Sequence, residues 1–264
     1  MLNIFSGTKH DDKYIEINPN LNTFRFGQGF FTTTRIHKGL PLWIDEHIAR
    51  LDASLQAFYF PSINLSEIKR YALQWANLNK VESGIMRILV WPDNEISNYY
   101  ISGSLLPPKD KNIKLEFASY KRHSTEIIYR YKSFNYWQNL LVHQEAERNG
   151  YWDGIILNEK EEICETSRGN IFWIKGDTIY TPHLECNLLD GVMRKQILSI
   201  SDKLGIKNEE VRVGRLELET ASTVFITNSV RGIIPVKQIG SQKYKEHHEL
   251  VEQIINAEKY IMKN

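Results

Sequence analysis

The feature that most constrains this chain is the run Leu105-Leu106-Pro107-Pro108-Lys109-Asp110-Lys111-Asn112. Two adjacent prolines followed by charged residues can continue neither a helix nor a central strand, so the run reads as a linker. It divides the 264 residues into halves of about the size of ordinary domains. The expected organisation is an N-terminal domain at 1–106, a linker at 107–112 and a C-terminal domain at 113–264. Neither half contains an internal repeat or a low-complexity segment.

In the first half, Phe24 to Phe31 is a glycine-punctuated turn. The Thr32-Thr33-Thr34-Arg35-Ile36 run then suits a strand, because β-branched side chains fit a pleated surface. Lys38-Gly39 forms a tight hairpin turn and Leu40 to Trp43 returns as a strand. Ile44, Ile48, Leu51, Leu55 and Phe58 recur at helical spacing and predict a core-facing stripe, with Asp45 and Glu46 in the first turn and His47, Arg50 and Ser54 as a polar stripe. A second helix is expected over Ser66–Asn79, then strands over Gly84–Trp91 and Tyr99–Ser102. Gly27-Gln28-Gly29 lacks the third glycine and the following helix of a dinucleotide fingerprint.

The second half opens on the alternating strand Ile113–Ala118. Strands follow at Asp153–Asn158, Glu161–Glu165, Ile171–Ile174, Thr178–Pro182 and Val224–Ser229. Between the first two lies Tyr131-Lys132-Ser133-Phe134-Asn135-Tyr136, where Ser133 reads as the N-cap of a helix carrying Trp137, Leu140 and Leu141 on one face and stopping at Gly150. Lys132 is set among aromatic residues, and partial desolvation of an ammonium favours the neutral, nucleophilic amine. A surface lysine is the plainer reading of this residue alone. Glu165 adjoins a strongly apolar strand, so burial is expected, and a buried carboxylate needs a cationic partner. Asp190 reads as the N-cap of a helix ending near Leu204, and Gly191 lets that helix's first amides approach an anion. Arg50 offers a planar fork of donors that suits phosphate or a surface ion pair. Asn228 and Ser229 either cap the turn after their strand or place a hydroxyl on phosphate. An amphipathic helix is expected over Tyr244–Met262.

Composition excludes several classes. There are 33 basic and 32 acidic residues, for a net charge of +1, and no long single-sign run, so neither nucleic acid nor an anionic membrane is an expected partner. The two cysteines, Cys164 and Cys186, form no disulfide framework and no paired-cysteine metal motif. No apolar stretch approaches a membrane span, and Met1 to Phe5 lacks a signal-peptide pattern. A soluble cytoplasmic protein is the expectation.

Six segments, taken in order, resemble the class IV aminotransferase family of pyridoxal-phosphate enzymes: Phe26-Gly27-Gln28-Gly29-Phe30-Phe31, Glu46-His47-Ile48-Ala49-Arg50-Leu51, Lys132 to Tyr136, Glu165 to Phe172, Leu189-Asp190-Gly191-Val192-Met193-Arg194, and Thr227-Asn228-Ser229. The resemblance implies the two-domain fold type IV, an α/β (α+β) architecture with a smaller N-terminal α/β sandwich and a larger C-terminal, β-barrel-like domain with helices. It implies pyridoxal 5′-phosphate as cofactor and a homodimer. It assigns Lys132 to the Schiff-base linkage and to general base catalysis, Glu165 to the pyridine nitrogen, and Arg50, the amides of Val192 and Met193, and Ser229 with its neighbour Asn228 to the phosphate. Many members carry threonine at the position of Met193, so here the phosphate leans on Arg50 and Ser229. The family's aminotransferases commonly carry an acidic residue after the aromatic of the strand that follows the glycine turn. Phe31-Thr32-Thr33, Gly191-Val192-Met193-Arg194 and Thr227-Asn228-Ser229-Val230-Arg231-Gly232 instead imply β-elimination of 4-amino-4-deoxychorismate to 4-aminobenzoate and pyruvate, with Thr33 orienting the substrate. Arg35, Arg87 and Arg168 remain open candidates for substrate carboxylates. The alternatives are a D-amino-acid or branched-chain aminotransferase, and a non-catalytic member of the fold.

Overall fold

The computed structural model describes residues 3–6, 8–10, 18–109 and 111–261. Met1, Leu2, Asp110 of the expected linker and Met262 of the expected last helix lie outside them. The chain forms two compact units, one of residues 1–108 with 131–135 and the other of residues 109–130 with 136–264.

The first unit contains β1 (Asn3–Phe5), β2 (Thr8–His10), α1 (Asn22–Phe26), β3 (Phe30–His37), β4 (Leu40–Pro41), α2 (Ile44–Ala57), α3 (Leu65–Asn79), β5 (Ser83–Asp93) and β6 (Ile96–Leu105). Its strands form one antiparallel sheet in the order β2-β1-β6-β5-β3-β4. Phe30, Thr32, Thr34 and Ile36 of β3 alternate inward, on the pleated period of two. The expected hairpin turn is present, with Lys38 and Gly39 both at positive φ. On α2 the buried residues are Ile44, His47, Leu51, Ser54 and Leu55. The helix is therefore turned so that two members of the expected polar stripe, His47 and Ser54, face inward, each with a hydrogen-bond partner. α3 is capped by Asn64, whose side chain accepts from the Glu67 amide at 3.0 Å. It buries Trp75 completely. A Cβ at Gly103 of β6 would lie 2.3 Å from the Trp75 ring, so the bare glycine makes room for the indole.

The second unit contains β7 (Lys114–Arg122), α4 (Trp137–Arg148), β8 (Asp153–Asn158), β9 (Ile163–Thr166), β10 (Asn170–Lys175), β11 (Thr178–Pro182), α5 (Val192–Lys203), β12 (Asn208–Val211), α6 (Leu216–Glu219), β13 (Thr223–Asn228), β14 (Gly232–Val236), β15 (Gln238–Ile239), β16 (Gln242–Lys243) and α7 (Glu249–Ile261). Two five-stranded sheets run β12-β11-β10-β13-β14 and β16-β15-β7-β8-β9. One core joins them: Leu115, Ile155, Leu157 and Ile163 from the second sheet pack with Ile171, Trp173, Val224, Ile226 and Val236 from the first. β7 and β8 are parallel, as are β11 and β12, with α4 and α5 in the respective connections. The mixed α/β class expected from the sequence is the one the chain adopts.

Two expectations need correction. α4 starts at Trp137 with Tyr136 as N-cap, so Ser133 does not cap it. Its buried residues are Asn139, Val142 and Ala146, while Trp137 is 67% exposed. The apolar stripe read from the sequence is therefore not the packed face. Tyr244 is not helical; its ring is core and its hydroxyl donates to the Leu218 carbonyl at 3.1 Å.

Candidate active site

The residues singled out from the sequence fall into two groups, one in each unit. In the first unit, Lys132 sits on a segment aligned with the start of β3. The Phe31 amide donates to the Lys132 carbonyl and the Phe134 amide to the Gly29 carbonyl, both at 2.8 Å, and Ser133 bridges to Phe30. Strand-like pairing thus fixes the lysine backbone. Gly29 is required by this approach, since a Cβ there would lie 2.4 Å from the Phe134 ring. Phe30, Phe58 and Tyr131 meet in tilted and edge-to-face contacts, with ring centroids 5.1 to 6.3 Å apart. Lys132 Nζ lies 4.4 Å from the Phe31 ring centroid, a cation–π distance.

Arg50 belongs to the same group. Its Nη2 donates to Thr32 Oγ1 at 2.8 Å, and that oxygen lies 2.6 Å from His47 Nδ1. A hydroxyl has one proton to give and two lone pairs, so Thr32 can accept from Arg50 and still pair with Nδ1 in either imidazole tautomer. Burial, then the charges of Arg50 and Lys132, hold the His47 pKa well below its ordinary value. The imidazole is therefore neutral. Thr32 was not singled out from the sequence; the signal for it was the inward phase of the strand. Thr33 points to the other face of β3, the face of Phe31 and Arg35, and pairs with Arg87 on β5. Of the open arginines, Arg87 donates to Ser104 at 3.4 Å. Arg35 Nε is buried with no hydrogen-bond partner among the described residues. Arg168 belongs to the second unit, where it lies over the Trp152 ring and donates to its carbonyl at 2.7 Å.

The rest of the second group surrounds Glu165, which is buried on β9. Its Oε1 accepts from Arg122 Nη1 at 2.5 Å and its Oε2 from Asn170 Nδ2 at 3.1 Å. The cationic partner demanded by burial is thus in part the protein's own. Arg122 is itself only 2% exposed. It is held by Gln138 at 3.1 Å and Asn139 at 3.3 Å and lies over the Tyr129 ring. Sequence reasoning missed it because it lies 43 residues from Glu165.

α5 begins at Val192 with Gly191 in an extended N-cap conformation and no side-chain cap. The expected cap, Asp190, instead pairs with Lys195 at 2.7 Å and with Arg194 at 3.8 Å. An uncapped helix start with its positive dipole end suits an anion. Val192 and Met193 are buried there. Asn228 Oδ1 accepts from the Val230 amide at 3.1 Å and the Arg231 amide at 2.9 Å, which orders the turn containing half-buried Ser229. Among the described residues no cluster of acidic, histidine or cysteine side chains could hold a metal, and no helix is long and apolar enough to cross a membrane.

The family model Amino-transferase class IV matches residues 29–239. The aminodeoxychorismate lyase of Bacillus subtilis (strain 168) is 30% identical over 260 residues, covering 90% of this chain and 87% of that protein. The D-alanine aminotransferase of Bacillus licheniformis is 24% identical over 251 residues, covering 90% and 88%. Among solved structures, the branched-chain amino acid aminotransferase from Escherichia coli superposes with a TM-score of 0.88 at 24% identity, over 98% of this chain and 92% of that one. The 4-amino-4-deoxychorismate lyase from Pseudomonas aeruginosa superposes with a TM-score of 0.86 at 20% identity, over 98% of both chains.

Proposed function

Because this chain belongs to the amino-transferase class IV family, we propose that it is a lyase that converts 4-amino-4-deoxychorismate to 4-aminobenzoate and pyruvate, a step in folate synthesis. The cofactor is pyridoxal 5′-phosphate. The donor set fits it: a lysine amine, a buried carboxylate for a pyridinium nitrogen, and an arginine with an uncapped helix start for a phosphate. The α5 start has no side-chain cap, so its first amides are open to the phosphate.

When bound, this cofactor supplies an electron sink, a ring that accepts the charge left when the substrate's amine-bearing carbon loses its proton. In this reading Lys132 would hold the cofactor through Nζ, and its amine, when free, would serve as the base that takes that proton. The ammonium so formed is the proton source for the departing enolpyruvate oxygen. Glu165, its charge supported by Arg122 and Asn170, keeps the ring nitrogen protonated. Arg50, the amides of Val192 and Met193, and Ser229 with Asn228 bind the phosphate. Met193 adds no hydroxyl, which puts more weight on Arg50, whose guanidinium is oriented by the neutral hydroxyl of Thr32. Thr33, on the Phe31 face of β3, orients the substrate. Cytoplasmic location and a homodimer belong to the same reading.

The observation that carries the choice of lyase is the 30% identity to the B. subtilis lyase over nine-tenths of the chain. The 24% match to D-alanine aminotransferase over the same share supports transamination of an amino acid as the second reading. Purified protein given 4-amino-4-deoxychorismate with no keto acid should release 4-aminobenzoate and pyruvate in equal amounts. Turnover that requires a keto acid, at much higher kcat/KM on a D- or branched-chain amino acid, would contradict the lyase.

A further inference from the structure

Asn170 joins the carboxylate and the helix start of the second unit through a single amide. Its Nδ2 donates to Glu165 Oε2 at 3.1 Å and to the Leu189 carbonyl at 2.8 Å. These take the two N–H bonds of one nitrogen. Its Oδ1 fills the space beside Gly191, where an added Cβ would lie 2.1 Å from that oxygen. The side chain is thus fixed on both edges, and only 4% of the residue is exposed.

The backbone beneath it is equally constrained. Asn170 opens β10 in register with Thr227 of β13. A Cβ on the preceding Gly169 would fall 2.7 Å from the Thr227 carbonyl oxygen. The Thr166 amide and hydroxyl both donate to the Gly169 carbonyl, at 2.9 and 3.0 Å, closing the turn that leads from Glu165 to Asn170. No other residue type reproduces the brace. Alanine loses all of its hydrogen bonds, aspartate has no donors and places a second negative charge beside Glu165, and glutamine is one methylene too long for a space bounded by Gly191.

We propose that Asn170 is a positioning residue that fixes the Glu165 carboxylate relative to the first-turn amides of α5, so that the nitrogen end and the phosphate end of the cofactor are engaged together. The proposal rests on the assignment of Glu165 and the α5 amides to the cofactor made above. A positioned pair of contacts is cooperative: anchoring the phosphate presents the ring nitrogen to Glu165, so each contact is worth more when the other is made.

The test is a double cycle on the cofactor-free full chain, titrated with pyridoxal 5′-phosphate or with pyridoxal, which lacks the phosphate, and read by absorbance of the bound ring. Glu165→Gln is combined with each ligand, first in the wild-type background and then with Asn170→Ala. In the wild-type background, Glu165→Gln should weaken the phosphorylated ligand more than pyridoxal, by about fivefold or more. With Asn170→Ala that ratio should fall to about one. Asn170→Ser, whose hydroxyl is too short to span from Glu165 to the Leu189 carbonyl, should lower the ratio in the same way and serves if Asn170→Ala does not fold. A merely structural role predicts equal weakening of both ligands with the ratio retained, and that result overturns the proposal. Wild-type affinity of Glu165→Gln for both ligands would overturn the site assignment itself, and the proposal with it.

Discussion

His47 shows how a single residue can be misjudged from its polarity. Helical spacing puts it on a polar stripe with Arg50, yet it is completely buried, and it reaches Arg50 through the Thr32 hydroxyl. Its folded pKa is depressed, because burial and two neighbouring cations disfavour the imidazolium. In the unfolded chain it takes up a proton near its ordinary value of 6.5. Below that pH the unfolded state therefore binds the extra proton and the folded state does not. The stability it contributes is complete well above pH 6.5 and falls as pH drops below it toward the folded pKa, the slope approaching about 1.4 kcal/mol per pH unit. Denaturant unfolding should lose about 1.4 kcal/mol through this residue between pH 7.5 and 5.5, and His47→Asn should remove that loss; an equal loss in both proteins would contradict the assignment. Cys164 is inert for a related reason: burial pushes its thiol pKa up, and the thiol donates to the Cys186 carbonyl.

At the scale of elements, strands and much of the α2 stripe (Ile44, Leu51 and Leu55) were legible, whereas the packed face of α4 was not. β3 and β5 could be read because β-branched and apolar residues fall at the pleated period and end at Lys38-Gly39 and similar turns. The buried face of α4 was hidden because Asn139 is one of its inward residues. Its amide donates to the Ser167 carbonyl at 2.7 Å and its oxygen accepts from Arg122, partners that helical periodicity cannot reveal. Buried polar groups are tolerated where such partners exist. The packing of α3 on the first sheet has a sharper test. Gly103→Ala places a methyl 2.3 Å from the Trp75 ring and 2.5 Å from the Ile85 carbonyl oxygen. Neither neighbour can yield freely, since the indole is fully buried and the carbonyl belongs to a central strand. Overpacking of this kind costs about 1–3 kcal/mol. It should appear as a lower denaturant midpoint with an unchanged m-value; an unchanged midpoint would mean that the interface relaxes.

Across the whole molecule, the chemistry was easier to read than the supports beneath it. Lys132, Glu165 and Arg50 stand in recognisable segments, whereas Arg122 does not, and the bonds by which Arg122, Asn170 and Thr32 hold Glu165 and Arg50 are contacts made by the fold. Arg122 and Glu165 are a buried pair, and their value lies less in net stability than in keeping a carboxylate charged in a dry interior. Lys132 and Arg50 belong to the first unit, and Glu165 and the start of α5 to the second. The most direct test is borohydride reduction of the purified yellow protein, followed by proteolysis and mass mapping of the reduced cofactor adduct. The adduct should fall on Lys132 alone, and Lys132→Ala should carry none. An adduct on another lysine, or a Lys132→Ala protein with full activity, would contradict the assignment.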